Sequence, residues 1–450
     1  MDHAYSRAHS AMLTAIILGL QTLAWAAFAE PLPTAEPEAV GISSERLALI
    51  DRVASRAVED GDIVGAVTLV ARHSSVVHLH AEGWADREAE RPMEVSNRFL
   101  IASMTKPIVT VAAMMLFEEG AFLLSDPVSD YLPEFADSYV LETSLDASKE
   151  NPRLRPAKRP ITIHHLLTHT SGISHPFIVS GVMRDLHLRA GVWQGLGPQD
   201  ATIEEGVRRI ASVPLLHDPG EAFTYGLSTD VLGRLLEVVS GTDLSTLLRI
   251  RVLDPLGMLD TAFYVDSGLG ESFAVTYRED VPGELHRLDT DPVDARLDTD
   301  PVDAAAVSSP YEGPTTYFSG GAGLVSTASD YAKFCQMLLN GGELHGQRVL
   351  SPKTVRLMTM NHIRDLEGAS WLHPSHRFGL GVMVAAHPSE THQLLSEGAY
   401  GWSGYFGTEF RVDPKEDLFY VVLTQTRSDA SARFFRHLLP NLVYQAIISD

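Results

Sequence analysis

Residues 99–110 read FLIASMTKPIVT, and inside this apolar phrase Ser103 is followed three residues later by Lys106. On a helix, positions i and i+3 share a face, close enough for a proton to pass between the two side chains. A lysine among apolar neighbours is favoured in its neutral form and can then take a proton from a serine. Pro107 points to a helix start at this place. Its missing N–H would otherwise bond the Ser103 carbonyl, a loss best tolerated in the first turn. A serine at that start also presents its own backbone N–H at the positive helix end, beside any oxyanion that develops. The chemistry this pair could perform is nucleophilic attack through an acyl-serine. Alone, S-x-x-K is a weak pattern, because four-residue coincidences are common.

The elements that must position the pair can be read from periodicity. GAVTLVARHSSVVHLHAEG (65–83) reads as two strands around a His73-Ser74-Ser75 turn. Near the other end, RFGLGVMVAA (377–386) is strand-like, and TEFRVDPKEDLFYVVLTQ (408–425) reads as two strands joined at Asp413-Pro414. The texture between is helical. STDVLGRLLEVVSG (228–241) predicts a Ser-capped helix with a Val231/Leu235/Val238 stripe and a closing Gly241. TDLSTLLRIRVLDPLGM (242–258) predicts a second helix with its own cap, stopped by Pro255. SDYAKFCQMLLNGG predicts a third, with Ser329 as N-cap and Gly341 after its end. Strands at both ends with helices between predict one sheet closed by both chain ends, with a helical lobe inserted. The catalytic cleft then lies between the two lobes.

Further along, PGEAFTYGLSTDVLG (219–233) places Tyr225 in a loop just ahead of a capped helix, a setting suited to presenting a phenol. GAYGWSGYFGTEFRVDP (398–414) is a Gly-rich approach to a strand, where backbone can come close to a ligand. With LLTHTSG (166–172) and GGAGLVSTASDYAKF (320–334), the chain resembles the serine β-lactamase-like superfamily, the fold of class C β-lactamases and penicillin-binding proteins. Within it, the chain looks most like the family VIII carboxylesterases, from about Gly41 to the C-terminus.

The resemblance implies an α/β (α+β) fold of the β-lactamase/transpeptidase type, an antiparallel sheet flanked by helices with an inserted helical lobe. The expected sheet lobe covers roughly 41–110 and 315–450, and the helical lobe 111–314. It further implies Ser103 as the acylated nucleophile, Lys106 as its activating partner and Tyr225 as the second acid/base group. The oxyanion hole would come from the N–H groups of Ser103 and Tyr405. Trp402-Ser403-Gly404 falls where lactamases carry K-T-G, and Leu227 where they carry the Asn of Y-x-N. These two departures remove a cation and an amide and make the site more apolar. An anionic β-lactam or a D-Ala-ending peptide loses two partners there, whereas a neutral ester loses nothing it needs. The expectation is a serine hydrolase of neutral, small-molecule carboxylic esters. The alternatives are a β-lactamase or D-amino-acid peptidase, an acyltransferase, and a penicillin-recognising sensor that is acylated without turnover.

No cofactor or metal is expected. His164, His165 and His169 resemble a metal cluster, but neither H-E-x-x-H nor H-x-H-x-D-H occurs, and a structural role is expected. His78 and His80 share a strand face with Glu82, again without a second ligand set. Cys335, the only cysteine, excludes an internal disulfide and reads as a buried structural thiol. RLDTDPVDA stands at 287–295 and again at 296–304. Its D-x-D spacing invites calcium, but the Gly and Glu of an EF-hand loop are out of register, so a solvated surface loop is expected.

The bulk composition excludes other classes. The chain of 450 residues is 45% hydrophobic, enough for a large core. Its formal net charge of -23 would repel a phosphate backbone, which sets nucleic-acid binding aside. The N-terminus reads as an export signal: Arg7, an apolar run from Ala11 to Ala27, and the small-x-small pattern Ala27-Phe28-Ala29. Cleavage after Ala29 would release residues 30–450 to the periplasm or medium. With no basic stop-transfer flank, no stable membrane anchor is expected.

Overall fold

The structure, a computed structural model, describes residues 30–142, 152–193, 195–196, 199–281, 283–288, 314–363, 366 and 376–449. The proposed signal at 1–29 lies outside the described residues, as do residues 289–304 of the tandem copies.

Strands β1 (Gly65–Arg72) and β2 (Ser75–Asp86) form the expected hairpin. Its turn residues His73 and Ser74 have φ 49° and 61°, the left-handed pair whose twist matches the flanking strands. A short β3 (Arg91–Pro92) pairs with β2. The remaining strands come from the other end of the chain: β4 (His376–Phe378), β5 (Met383–Ala385), β6 (Tyr400–Ser403), β7 (Glu409–Asp413) and β8 (Leu418–Thr424). Together they form an eight-stranded antiparallel sheet in the order β4-β5-β6-β7-β8-β1-β2-β3. β1 lies against β8, from Ala66 opposite Thr424 to Arg72 opposite Leu418, so the two chain ends close one sheet. The stretch 377–386 proves to be two short strands and not one. The chain reverses between them, with the Gly379 N–H bonded to the Val382 carbonyl at 2.8 Å.

Strand alternation sorts side chains to two cores. Val67, Leu69 and Ala71 of β1, with Phe419, Val421 and Leu423 of β8, enter the larger one. Val70, Leu418, Tyr420 and Val422 face a smaller core with Ile50 and Ala54 of helix α1 (Leu49–Glu59) and the C-terminal Phe434, Phe435 and Val443. Each fully buried Val, Leu or Phe in these layers stabilises the fold by about 1.5–3 kcal/mol.

The larger core also holds helices α2 (Thr105–Glu118), α3 (Ser228–Ser240) and α4 (Ala328–Leu339). α3 ends at Gly241 with φ 71°, as expected. Its start differs: Ser228 sits inside the first turn, and its hydroxyl bonds that of Ser171 at 2.9 Å instead of capping. The buried face runs through Val231, Leu232, Leu235 and Leu236, and Val238 is exposed. α4 is capped by Thr327, which accepts the Asp330 N–H, and not by Ser329, which is exposed. Cys335 is fully buried in this helix, and burial pushes its thiol well above the usual range.

Pro255 does not stop the helical run at 242–258. Asp243 caps Leu244–Leu248, a widened turn follows at Arg249–Leu253, and the helix resumes as Asp254–Leu256 before Gly257 ends it. In the widened turn the Asp254 N–H reaches back to the Arg249 carbonyl, which relieves the clash a proline ring otherwise makes with the preceding turn. The same device precedes Pro440, where the widened turn Phe434–Leu438 leads into Leu439–Tyr444.

The first copy of the repeat does not begin as loop. Arg287 ends a strand, Glu284–Arg287, and its guanidinium donates to both carboxylate oxygens of Asp86 at 2.8 and 2.9 Å. Leu288 is buried and bonds Thr276 through its N–H. Among the described residues, no helix is long and apolar enough to cross a membrane.

Candidate active site

Ser103 stands in a single 3-10 turn, Ala102–Met104, that leads directly into α2. Ala102 has φ 43°, a left-handed conformation that costs a non-glycine residue about 1–2 kcal/mol. Packing holds it there. The Ile101 N–H bonds the Leu324 carbonyl at 3.1 Å, and the Tyr331 hydroxyl donates to the Met104 carbonyl at 2.9 Å. Strain of this kind, stored beside a reactive group, turns the side chain out of the regular helix path.

The structure brings Lys106 and Tyr225 to Ser103. Lys106 Nζ donates to Ser103 Oγ at 3.2 Å and to the Gly321 carbonyl at 2.7 Å. The Tyr225 hydroxyl donates to Ser103 Oγ at 2.7 Å, from a residue 122 positions away. Lys106 Nζ also lies 4.7 Å from the centre of the Tyr225 ring, a favourable place for a cation. Ser103 Oγ is therefore the point where an amine and a phenol converge.

Tyr225 is held by groups whose part was not foreseen. His169 packs against its ring, tilted by 48° with the centres 4.8 Å apart, and grips the chain on both sides. The His169 carbonyl accepts the Thr224 N–H at 2.8 Å, and its ring Nδ1 accepts the Gly226 N–H at 3.4 Å. Burial, and secondly the nearby Lys106 charge, hold its pKa well below the usual histidine range, so the ring stays neutral. His164 bonds His362 at 3.1 Å, and His165 accepts the Thr162 N–H in a helix cap. Burial first, then His164, lowers the His165 pKa to about 4. On the sheet, His78 Nε2 bonds Thr68 Oγ1 at 2.8 Å. Among the described residues, no group of three or more His, Cys, Asp or Glu side chains could hold a metal ion.

A small cleft, open to solvent, lies beside Ser103. Lys106, Tyr225, Leu227, Phe177, Asp230 and Tyr405 contribute to its lining. Leu227 and Tyr405 thus face the serine. Trp402, Ser403 and Gly404, on β6 and just after it, are not among the residues that line it. Trp402 is buried between the rings of Tyr225 and Phe378, each 5.3 Å away, and its Nε1–H points to the Tyr225 oxygen at 3.4 Å. Gly404 lets the strand end approach the nucleophile turn: a Cβ there would lie 2.5 Å from the Ile101 carbonyl. Asp230 carried no motif signal and was missed.

The burial of Trp402 fixes what the K-T-G lysine would do at this position. A lysine in its place would fill an aromatic slot with an unpaired charge, so Trp402→Lys should destabilise the fold by at least about 3 kcal/mol. Urea denaturation checks this, and an unchanged midpoint would show that the ring is dispensable.

An antiparallel sheet closed by both chain ends, with a serine and a lysine starting a helix in its core, defines a class: serine enzymes built for acyl chemistry. The chain belongs to the Beta-lactamase family, whose model matches residues 50–443. It is 32% identical over 412 residues to Esterase EstB of Burkholderia gladioli, covering 91% of this chain and 98% of that one. It is 35% identical over 381 residues to Protein Rv1367c of Mycobacterium tuberculosis, covering 82% and 88%. Among solved structures it is similar to EstCE1, a hydrolase with promiscuous acyltransferase activity, at TM-score 0.74 and 28% identity over 90% of this chain and 99% of that one.

Proposed function

We propose that this protein hydrolyses neutral carboxylic esters through an acyl-serine, with Ser103 as nucleophile and Lys106 and Tyr225 as its acid–base pair. One observation carries the reading: the Lys106 amine and the Tyr225 hydroxyl both reach Ser103 Oγ, at 3.2 and 2.7 Å. Attack forms the Oγ–carbonyl bond while the serine proton passes to the pair. The pair then returns a proton to the departing alkoxide. Water repeats the sequence on the acyl-serine, and the carboxylic acid leaves. Acid–base help of this kind contributes about 10²–10⁴-fold. The backbone N–H groups of Ser103 and Tyr405 serve as oxyanion donors, each adding roughly 10²–10³. The likeness to Esterase EstB supports the ester as substrate.

A panel of p-nitrophenyl esters set beside nitrocefin tests this. Leu227 and the buried Trp402 offer an anionic β-lactam neither of the polar partners expected for it. Losing two charge-assisted hydrogen bonds corresponds to at least about 10² in kcat/KM. Short neutral esters should therefore lead by that margin, and faster turnover of nitrocefin than of every ester would end the esterase reading. Acyl transfer to an alcohol is the second reading, favoured by the cleft being open to solvent and by the likeness to EstCE1, a hydrolase with promiscuous acyltransferase activity. Added alcohol would then divert product from acid to new ester.

A further inference from the structure

Asp230 is a buried acid for which the scheme above has no use. It lies in the first turn of α3, 1% exposed, and lines the same cavity as Ser103 and Lys106. Its Oδ1 accepts the Ser319 hydroxyl at 2.6 Å, and the nearby Gly321 N–H favours its charged form. The carbonyl of that same Gly321 receives Lys106 Nζ at 2.7 Å. The contact is tight enough to dictate the residue type: a Cβ on Gly321 would sit 2.4 Å from Asp230 Oδ2. Gly321 of GGAGL is thus pressed onto this carboxylate, and Lys106 bonds the carbonyl of the same residue.

Among the described residues, several elements bring charged or titratable groups to Lys106. Ser103 comes from its own segment, Tyr225 from the loop before α3, neutral His169 from the 166–172 segment, and Asp230 from α3. The 319–323 bend offers the Gly321 carbonyl, and His175 also lines the cavity. Tyr317 lies near enough to Asp230 to feel its charge. Burial raises the Asp230 pKa, and the Ser319 hydroxyl, the Lys106 charge and the Gly321 N–H oppose that rise. The attraction is reciprocal: what favours the carboxylate anion favours the ammonium. Asp230 is the one carboxylate lining this cavity among the described residues.

We propose that Asp230 is a positioning residue for the reaction, fixing the Ser319–Gly323 bend that receives Lys106 and supplying the counter-charge that stabilises Lys106 once it holds the Ser103 proton. The step is a proton transfer: the Oγ–H bond breaks, an N–H bond forms on Lys106, and Oγ bonds the carbonyl carbon. The ammonium so formed is worth more beside a carboxylate than beside an amide. The inference rests on the roles assigned to Ser103 and Lys106 under the proposed function.

Asp230→Asn keeps the shape and removes the charge. Removing a negative charge from beside the acid–base groups should move the acid limb of kcat/KM down by about one unit. The ammonium is also less stabilised during attack, so kcat should fall about tenfold, the equivalent of that unit, with KM little changed. Rates are expressed per site titrated by a fluorophosphonate, which removes any unfolded fraction. If the Asn variant does not fold, Asp230→Ser gives the same reading. A fall in activity with the acid limb unmoved would reduce Asp230 to a structural residue and overturn the inference. Labelling that misses Ser103 would instead overturn the proposed function, so the two failures are distinct.

Discussion

Ser103→Ala should abolish ester hydrolysis, lowering kcat by about 10⁴–10⁶, while the melting temperature stays within a few degrees. The activity loss follows from the convergence on Oγ: without it, Lys106 and Tyr225 have no common atom to serve. The small stability change follows from what remains. Lys106 Nζ keeps its 2.7 Å bond to the Gly321 carbonyl, and the Tyr225 oxygen keeps the Trp402 indole N–H. The lost hydrogen bonds cost about 1 kcal/mol, and the alanine relieves none of the strain at Ala102, which is a backbone property. A fluorophosphonate should label the wild type at Ser103 and leave the variant unmodified. Labelling of any other serine would remove Ser103 from its role.

Much of this arrangement was legible because it is local. The S-x-x-K spacing needs only one helical turn, and the β1–β2 and β7–β8 hairpins announce themselves by alternation and a turn. Tyr225 stands in a loop just ahead of a helix start, and its role came from the family resemblance. What escaped depends on contacts between distant residues. Asp230 looks like an ordinary first-turn acid on α3 until Ser319, 89 positions later, is laid across it. The sequence places Trp402 at the K-T-G position, but only the fold sets its ring between Tyr225 and Phe378. The left-handed φ at Ala102 has no signature in an alanine, since only glycine advertises that region. Pro255 misled for a related reason: the widened turn that tolerates it is set by tertiary packing and not by the proline's neighbours.

Tyr225→Phe and Lys106→Ala should each cost about 10²–10⁴ in kcat, and the double variant should be no worse than the poorer single. The three groups act as one unit, because the proton leaving Ser103 needs both an acceptor and a path to the leaving group. Once either is gone, the other has little left to contribute. Stability should separate the two variants even where activity does not. Tyr225→Phe keeps the ring against His169 and Trp402 and removes the hydroxyl's bonds to Ser103 Oγ and the indole N–H, at about 1–3 kcal/mol. Lys106→Ala removes the donor to Gly321 and leaves the buried Asp230 without its cation, which should cost about 3–5 kcal/mol. Single-turnover rates on a p-nitrophenyl ester, with urea midpoints measured on the same preparations, check both halves. Losses that multiplied in the double variant would mean that Lys106 and Tyr225 work on separate steps, and the paired acid–base scheme would have to be replaced by a sequential one.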